Sequence, residues 1–164
     1  MKKVLLIGCL FVISFGGAYS QTADPILPSP VLTPGKWHVP STPLETLCKP
    51  GYTSGIDVDG HKVRNVSESL KDQVFKAYGL DPAKIVKHNY EIDHLISLEL
   101  DGENNIANLW PESYVTEPWN AHKKDTLENR LHFLVCHGSL PLADAQKAIS
   151  TDWIAAYKQY VGVK

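Results

Sequence analysis

The residues best suited to chemistry lie in a short stretch in the middle of the chain. Glu91-Ile92-Asp93-His94 is followed by Asn108-Leu109-Trp110-Pro111, and then by Trp119-Asn120-Ala121-His122-Lys123-Lys124. Asp93 offers a hard anionic oxygen of the kind a divalent cation such as Mg²⁺ prefers. Asn120 offers a neutral carbonyl oxygen, so a cation held by the two keeps net positive charge and open positions for phosphate and water. His94 has an ordinary pKa of about 6.5, and near neutral pH its imidazole is largely free to accept a proton from water. A bound cation beside a base is the equipment of metal-assisted hydrolysis. His122 is the alternative to Asn120. The two stand two residues apart on one helix and point in very different directions, so only one of them serves the site.

The elements that must position these residues follow from local pattern. Tyr90 to Leu100 alternates loosely as a strand, Asp101-Gly102 is a turn signal, and Ile106 to Trp110 reads as a second strand stopped by Pro111. Pro118 suits a helix start, and Leu127, Leu131 and Leu134 follow Asn120 and Lys124 at helical spacing up to about Cys136, with Gly138 as the stop. Upstream, Ser67 is placed to cap a helix ending near Tyr78 before Gly79, with Val66, Leu70, Val74 and Ala77 as its apolar face. Leu142 to Ile149 and Asp152 to about Val161 suggest two closing helices. Strand, loop, strand, helix is the order of a ββα-metal finger, here embedded among helices in an α+β fold. A regular strand sends neighbours to opposite faces, so one cavity shared by Asp93 and His94 requires the first strand to bend or end there.

The residues quoted resemble the HNH endonuclease superfamily. The closer likeness is to secreted bacterial HNH-like proteins that carry patterns similar to Pro50-Gly51-Tyr52-Thr53 upstream and Asn108-Leu109-Trp110-Pro111-Glu112 downstream. The likeness also takes in Tyr90 to Ile96, Lys124-Asp125, Val135-Cys136-His137-Gly138 and Asp152-Trp153, and runs from about Leu47 to Tyr160. It implies Asp93 as metal ligand, His94 as general base, Asn108 as the residue that holds the base-positioning loop, and Asn120 or His122 as the further ligand. The implied activity is hydrolysis of nucleic-acid phosphodiesters, of DNA before RNA. The implied cofactor is a divalent cation, Mg²⁺ first, with Mn²⁺ or Zn²⁺ as alternatives. Lys123, Lys124 and Arg130 are the candidates for substrate contact. The rival reading is a catalytically inactive HNH-scaffold binding protein of the cell envelope.

The whole chain bounds these expectations. Its 164 residues, 43% hydrophobic and 21% charged, suit one globular domain. Lys2 and Lys3, the apolar run from Val4 to Ile13 and Ala18-Tyr19-Ser20 read as a signal peptide over residues 1–20. The apolar run is well short of the about 20 residues a transmembrane helix needs. The expected destination is therefore the periplasm or the medium. Two of the 16 basic residues fall in that leader, which leaves 14 against 18 acidic ones. A negative chain is not a non-specific DNA-coating protein, since such binding is mostly phosphate neutralisation. Cleavage also leaves two cysteines, Cys48 and Cys136, expected to pair outside the reducing cytosol. Residues 21–46, with six prolines, read as a linker or extended arm ahead of a nuclease domain over 47–164.

Overall fold

The computed structural model describes residues 27–57 and 59–162. The segment read as a signal peptide lies outside them. In chain order the elements are α1 (Leu44–Leu47), α2 (Glu68–Ala77), β1 (Tyr90–His94), β2 (Leu109–Ser113), α3 (Ala121–Cys136), α4 (Leu142–Thr151) and α5 (Trp153–Tyr160), joined by short 3₁₀ turns. This is a mixed α+β arrangement in which a two-stranded antiparallel ribbon is enclosed by helices. Among the described residues no helix is long and apolar enough to cross a membrane.

Helix α2 begins where Ser67 accepts a hydrogen bond from the Leu70 amide, and it ends before Gly79, whose φ of 75° only glycine adopts freely. Its buried face is rotated slightly from the one expected. Val74, Phe75 and Tyr78 are buried and Ala77 is exposed, because the large aromatic side chains take the place against Ile92, Leu95, Leu109 and Trp110. Beyond the ribbon, α3, α4 and α5 bury Leu127, Leu131, Ile149 and Trp153 together with Ile96 and Leu100 from the loop after β1. That loop thus contributes core side chains to the helical layer.

The strands differ from the sequence expectation in extent. β1 stops at His94 and the chain turns through a 3₁₀ segment at Leu98–Leu100, while Ile106–Asn108 is also 3₁₀ and β2 runs on to Ser113. Pro111 lies inside β2, opposite Ile92. The ladder bonds from Leu95 N to Asn108 O and from Tyr114 N to Asn89 O fall on the same alternation, which puts Ile92 and Pro111 at a non-hydrogen-bonded pair. No ladder bond is asked of the proline there, so it does not end the strand. Helix α3 likewise starts later than Pro118. Asn120 is its N-cap and its side chain accepts from the Lys123 amide, a stronger start signal than the proline two residues earlier.

From Leu27 onward the proline-rich stretch is docked rather than free. Thr33 Oγ1 donates to Leu109 O at 2.8 Å and lies 2.7 Å from the Tyr78 hydroxyl. Gly35 N donates to Ala107 O, His38 N to Asp101 O, and Glu103 N to Lys36 O. The Asp101 carboxylate, fully buried, accepts from Thr42 N at 2.9 Å and meets His38 Nδ1 at 3.1 Å. The folded unit therefore begins before Leu47. Cys48 and Cys136 form a disulfide, with Cα atoms 5.7 Å apart, that ties the end of α1 to the end of α3.

At the turn, Asp101 adopts a left-handed φ of 67°, and Gly102 packs so closely that an added Cβ would sit 1.8 Å from Ile96 O. No flexible side chain is there to yield. Gly102→Ala is expected to lower unfolding stability by about 3 kcal/mol through this backbone clash, read from urea midpoints at constant slope. A loss below about 0.5 kcal/mol, the level of an ordinary surface change, would mean the loop is not fixed as described.

Candidate active site around His94 and Asp93

Asn108 is completely buried, and its carboxamide closes the loop between the strands. Its Oδ1 accepts from Ile96 N at 3.0 Å and from Lys36 N at 3.3 Å, and its Nδ2 donates to Ile96 O at 3.0 Å and Glu103 O at 3.1 Å. One side chain thereby pins both limbs of the loop and the docked arm. A buried amide with every donor and acceptor engaged is a rigid device, since breaking any of these bonds leaves an unpaired polar group.

The closed loop carries Asn104 to His94. Asn104 Nδ2 donates to Val63 O at 2.7 Å and its Oδ1 accepts from Asn65 N at 3.1 Å, which fixes the amide the right way round. The same Oδ1 lies 3.1 Å from His94 Nε2. An acceptor facing Nε2 requires the proton there, so Nδ1 carries the free lone pair. His94 is wholly buried and Nδ1 has no hydrogen-bond partner. Burial pushes the imidazole down to about 4, outweighing the neighbouring Asp93 carboxylate, with Arg64 pushing in the same direction as burial. His94 is a neutral base held in one tautomer.

Asp93 serves a different group. β1 stays in register through His94, the ladder continues with Leu95, and among the described non-glycine residues the left-handed φ falls at Asp101 instead. The strand ends at His94 as one of the two expected alternatives but does not bend before it, so Asp93 and His94 lie on opposite faces. Glu91 and Glu112 pair across the ladder and Asp93 is two residues from Glu91, which gathers three carboxylates on one face. Lys124, from α3, enters this face fully buried. Its ammonium donates to Asp93 Oδ2 at 2.5 Å, to His94 O at 2.7 Å and to Glu128. All three of its N–H bonds are used.

The charge balance of this nest is uneven. Burial opposes the charge on Lys124, but Asp93, Glu128 and Glu112 outweigh it and raise its pKa. Burial also opposes ionisation of Asp93, where Lys124 and His94 prevail and the pKa falls. For the others, burial wins. Glu128 is pushed up to about 8 and Glu112 well above the usual carboxylate range, while Glu91 and Asp125 are raised less. One ammonium cannot neutralise all five acids. Glu112 Oε1 is buried without a hydrogen-bond partner.

The remaining residues singled out in the sequence take other positions. Lys124, read as a substrate contact, is fully buried and its ammonium is spent on carboxylates and a carbonyl, so it does not touch a phosphate backbone. Lys123 and Arg130 are exposed on the α5 side, the first over the Tyr157 ring and the second donating to Tyr160 O. Asn120 is buried, but its Oδ1 caps α3 and its Nδ2 donates to Glu117 Oε1 at 3.2 Å. His122 is exposed, with its ring 5.2 Å from that of Tyr114 and its charge felt by Asp125. Asp93 and Asn120 are thus not joined as a ligand pair. Asn104, Arg64 and Glu128 carry no motif of their own, although Glu128 at four residues from Lys124 is a spacing that signals an ion pair. The charge of exposed Arg64 acts on both His94 and Asp125.

No protein-family model matches the chain, and neither a curated protein nor a solved structure does.

Two measurements follow from these charges. Lys124→Met keeps the volume and leaves the ionised Asp93 uncompensated, so unfolding stability at pH 7 should fall by about 3–5 kcal/mol, with the deficit shrinking as acid neutralises the carboxylate. A neutral outcome at pH 7 would contradict a charged nest. For His94, whose folded pKa is depressed from 6.5 to about 4, the stabilising contribution is complete above pH 6.5 and is lost as pH falls toward 4. Between pH 7 and pH 4 the wild type should lose about 3 kcal/mol more than His94→Asn in urea unfolding. Parallel losses would place His94 in solvent.

Proposed function

We propose that this protein is an exported, metal-dependent nuclease that hydrolyses nucleic-acid phosphodiester bonds, with DNA the favoured substrate. The observation that carries the reading is the orphaned Nδ1 of His94: an unpaired, buried acceptor held in a fixed tautomer by Asn104. Buried polar atoms in folded proteins find partners, and water is the partner this lone pair suits. The disulfide agrees with export, as disulfides persist outside the reducing cytosol.

A divalent cation fits the carboxylate nest on the opposite face. The nest is short of positive charge, and Glu112 Oε1 lacks a partner. Asp93 and Glu112 would hold the cation, whereas Asn120 would not, its oxygen being committed to the helix cap. When bound, such a cation, Mg²⁺ first, supplies positive charge to the pentacoordinate phosphate and the leaving oxygen. His94 accepts the proton of the attacking water at Nδ1. Asn104 keeps Nε2–H turned away from that water, and Asn108 keeps Asn104 in place. Arg64, exposed and acting on both His94 and Asp125 through its charge, takes the phosphate. Lys124 holds Asp93 ionised throughout.

The mature protein incubated with supercoiled plasmid and Mg²⁺ or Mn²⁺ should nick it. His94→Ala should reduce the rate by about 10²–10⁴-fold, the usual contribution of a general base. Glu112→Gln should weaken Mn²⁺ binding by calorimetry as well as cleavage. Absence of nicking with every metal, or unchanged nicking by His94→Ala, would sink this reading in favour of a binding protein on the same scaffold.

A further inference from the structure

Away from the ribbon, three side chains with metal-binding atoms converge at the outer end of α3. The sulfurs of Cys48 and Cys136 and a ring nitrogen of His132 all lie within 4.8 Å of one another. His132 and Cys136 are four residues apart on α3 and so share one helix face, and Cys48 caps the C-terminus of α1. His132 Nε2 lies 3.3 Å from Leu47 O, beside Cys48. That contact suits the Nε2–H tautomer and leaves Nδ1 with the lone pair. Metal-bound histidines are commonly oriented in this way, through a backbone carbonyl on the other nitrogen. The Glu99 carboxylate stands 3.9 Å from the same Nδ1. An open cavity of ≈ 450 Å³, lined by Glu99, Cys48, His132 and Cys136 among others, gives solvent a path to the group.

In the disulfide form the sulfurs are bonded to each other and are poor ligands. We propose that reduction of Cys48–Cys136 by a dithiol turns this place into a zinc site, with Cys48, Cys136 and His132 as three ligands and Glu99 or water as the fourth. Two electrons from the dithiol break the S–S bond. Its sulfurs become two thiols, and the reductant closes into its own disulfide. Each thiol then releases a proton to solvent as its thiolate binds Zn²⁺. Two thiolates, one imidazole and a fourth oxygen make an ordinary tetrahedral set for this ion. The cation would join α1 to α3 where the disulfide otherwise does, so the two ends stay stapled in either redox state. The proposal is independent of the nuclease reading, since none of these residues belongs to the nest around Lys124 or to the surroundings of His94.

The test reduces the mature protein with excess dithiol, removes the reagent without oxygen, and titrates Co²⁺ as a visible stand-in for Zn²⁺. One equivalent should give a thiolate-to-cobalt charge-transfer band and tetrahedral ligand-field bands, both lost on adding Zn²⁺, while the disulfide form gives neither. Zn²⁺ should raise the thermal midpoint of the reduced protein, and where the reduced chain has unfolded, Zn²⁺ should restore its helical circular dichroism. His132→Ala should weaken the metal by about tenfold or more, and exposed His137→Ala should leave it unchanged. No thiolate band, no recovery of structure with Zn²⁺, or equal affinity in His132→Ala would each overturn the proposal. Equal Co²⁺ affinity in urea would overturn it too, because the site depends on the fold to bring α1 to α3.

Discussion

The surroundings of His94 depend on one buried carboxamide. Asn108 bonds Ile96 on both its amide and its carbonyl, reaches Glu103, and receives the Lys36 amide of the docked arm. The loop it closes is the only connection between the strands, and it leaves Ile96 and Leu100 in the helical core. With both limbs held, Asn104 is brought to His94 with its oxygen forward. The tautomer of the imidazole is therefore decided fourteen residues downstream, by a side chain that never touches it. Gly102, with no room for a side chain, and Asp101, at a left-handed φ, are the local adjustments this closure requires.

The other face of the ribbon is governed by charge. Lys124 is buried with all of its donors engaged, and it stabilises Asp93 as an anion at the expense of the remaining acids. A buried ion pair is weak evidence for stability in itself, because the cost of taking both charges out of water offsets most of their attraction. Here the nest holds more carboxylate than one ammonium can balance. That excess of carboxylate is the physical basis for the proposal of a divalent cation beside Asp93 and Glu112.

Much of this was legible in the residues, and the failures have definite causes. Helix α2, its Ser67 cap and its Gly79 stop follow from local chemistry alone, as do the start of α4 and, to within a residue, both ends of α5, whereas α4 runs two residues past the expected Ile149. Asn108 ties the two limbs of its loop, and Asp101-Gly102 lies at the turn that its residue types signal. Pro111 misled because the alternation of ladder bonds, which decides whether a proline is tolerated, is not written in a single strand. Asn120 and Lys124 share a helix face, and spacing places both toward the protein; it does not say that one oxygen is consumed by a cap and one ammonium by acids. Asn104 and Arg64 reach the site through tertiary folding, with nothing in their neighbours to mark them. The docking of residues 27–46 is equally invisible locally, since an extended proline-rich segment reads the same whether it lies free or along a loop.

His94 is a neutral base with its lone pair on Nδ1, and nitrogen NMR of the folded, isotopically labelled protein reads that state directly. At pH 7 and again at pH 5 the His94 ring should show a protonated Nε2 and an unprotonated Nδ1. A proton on Nδ1, or a ring that titrates near the ordinary histidine value, would contradict it.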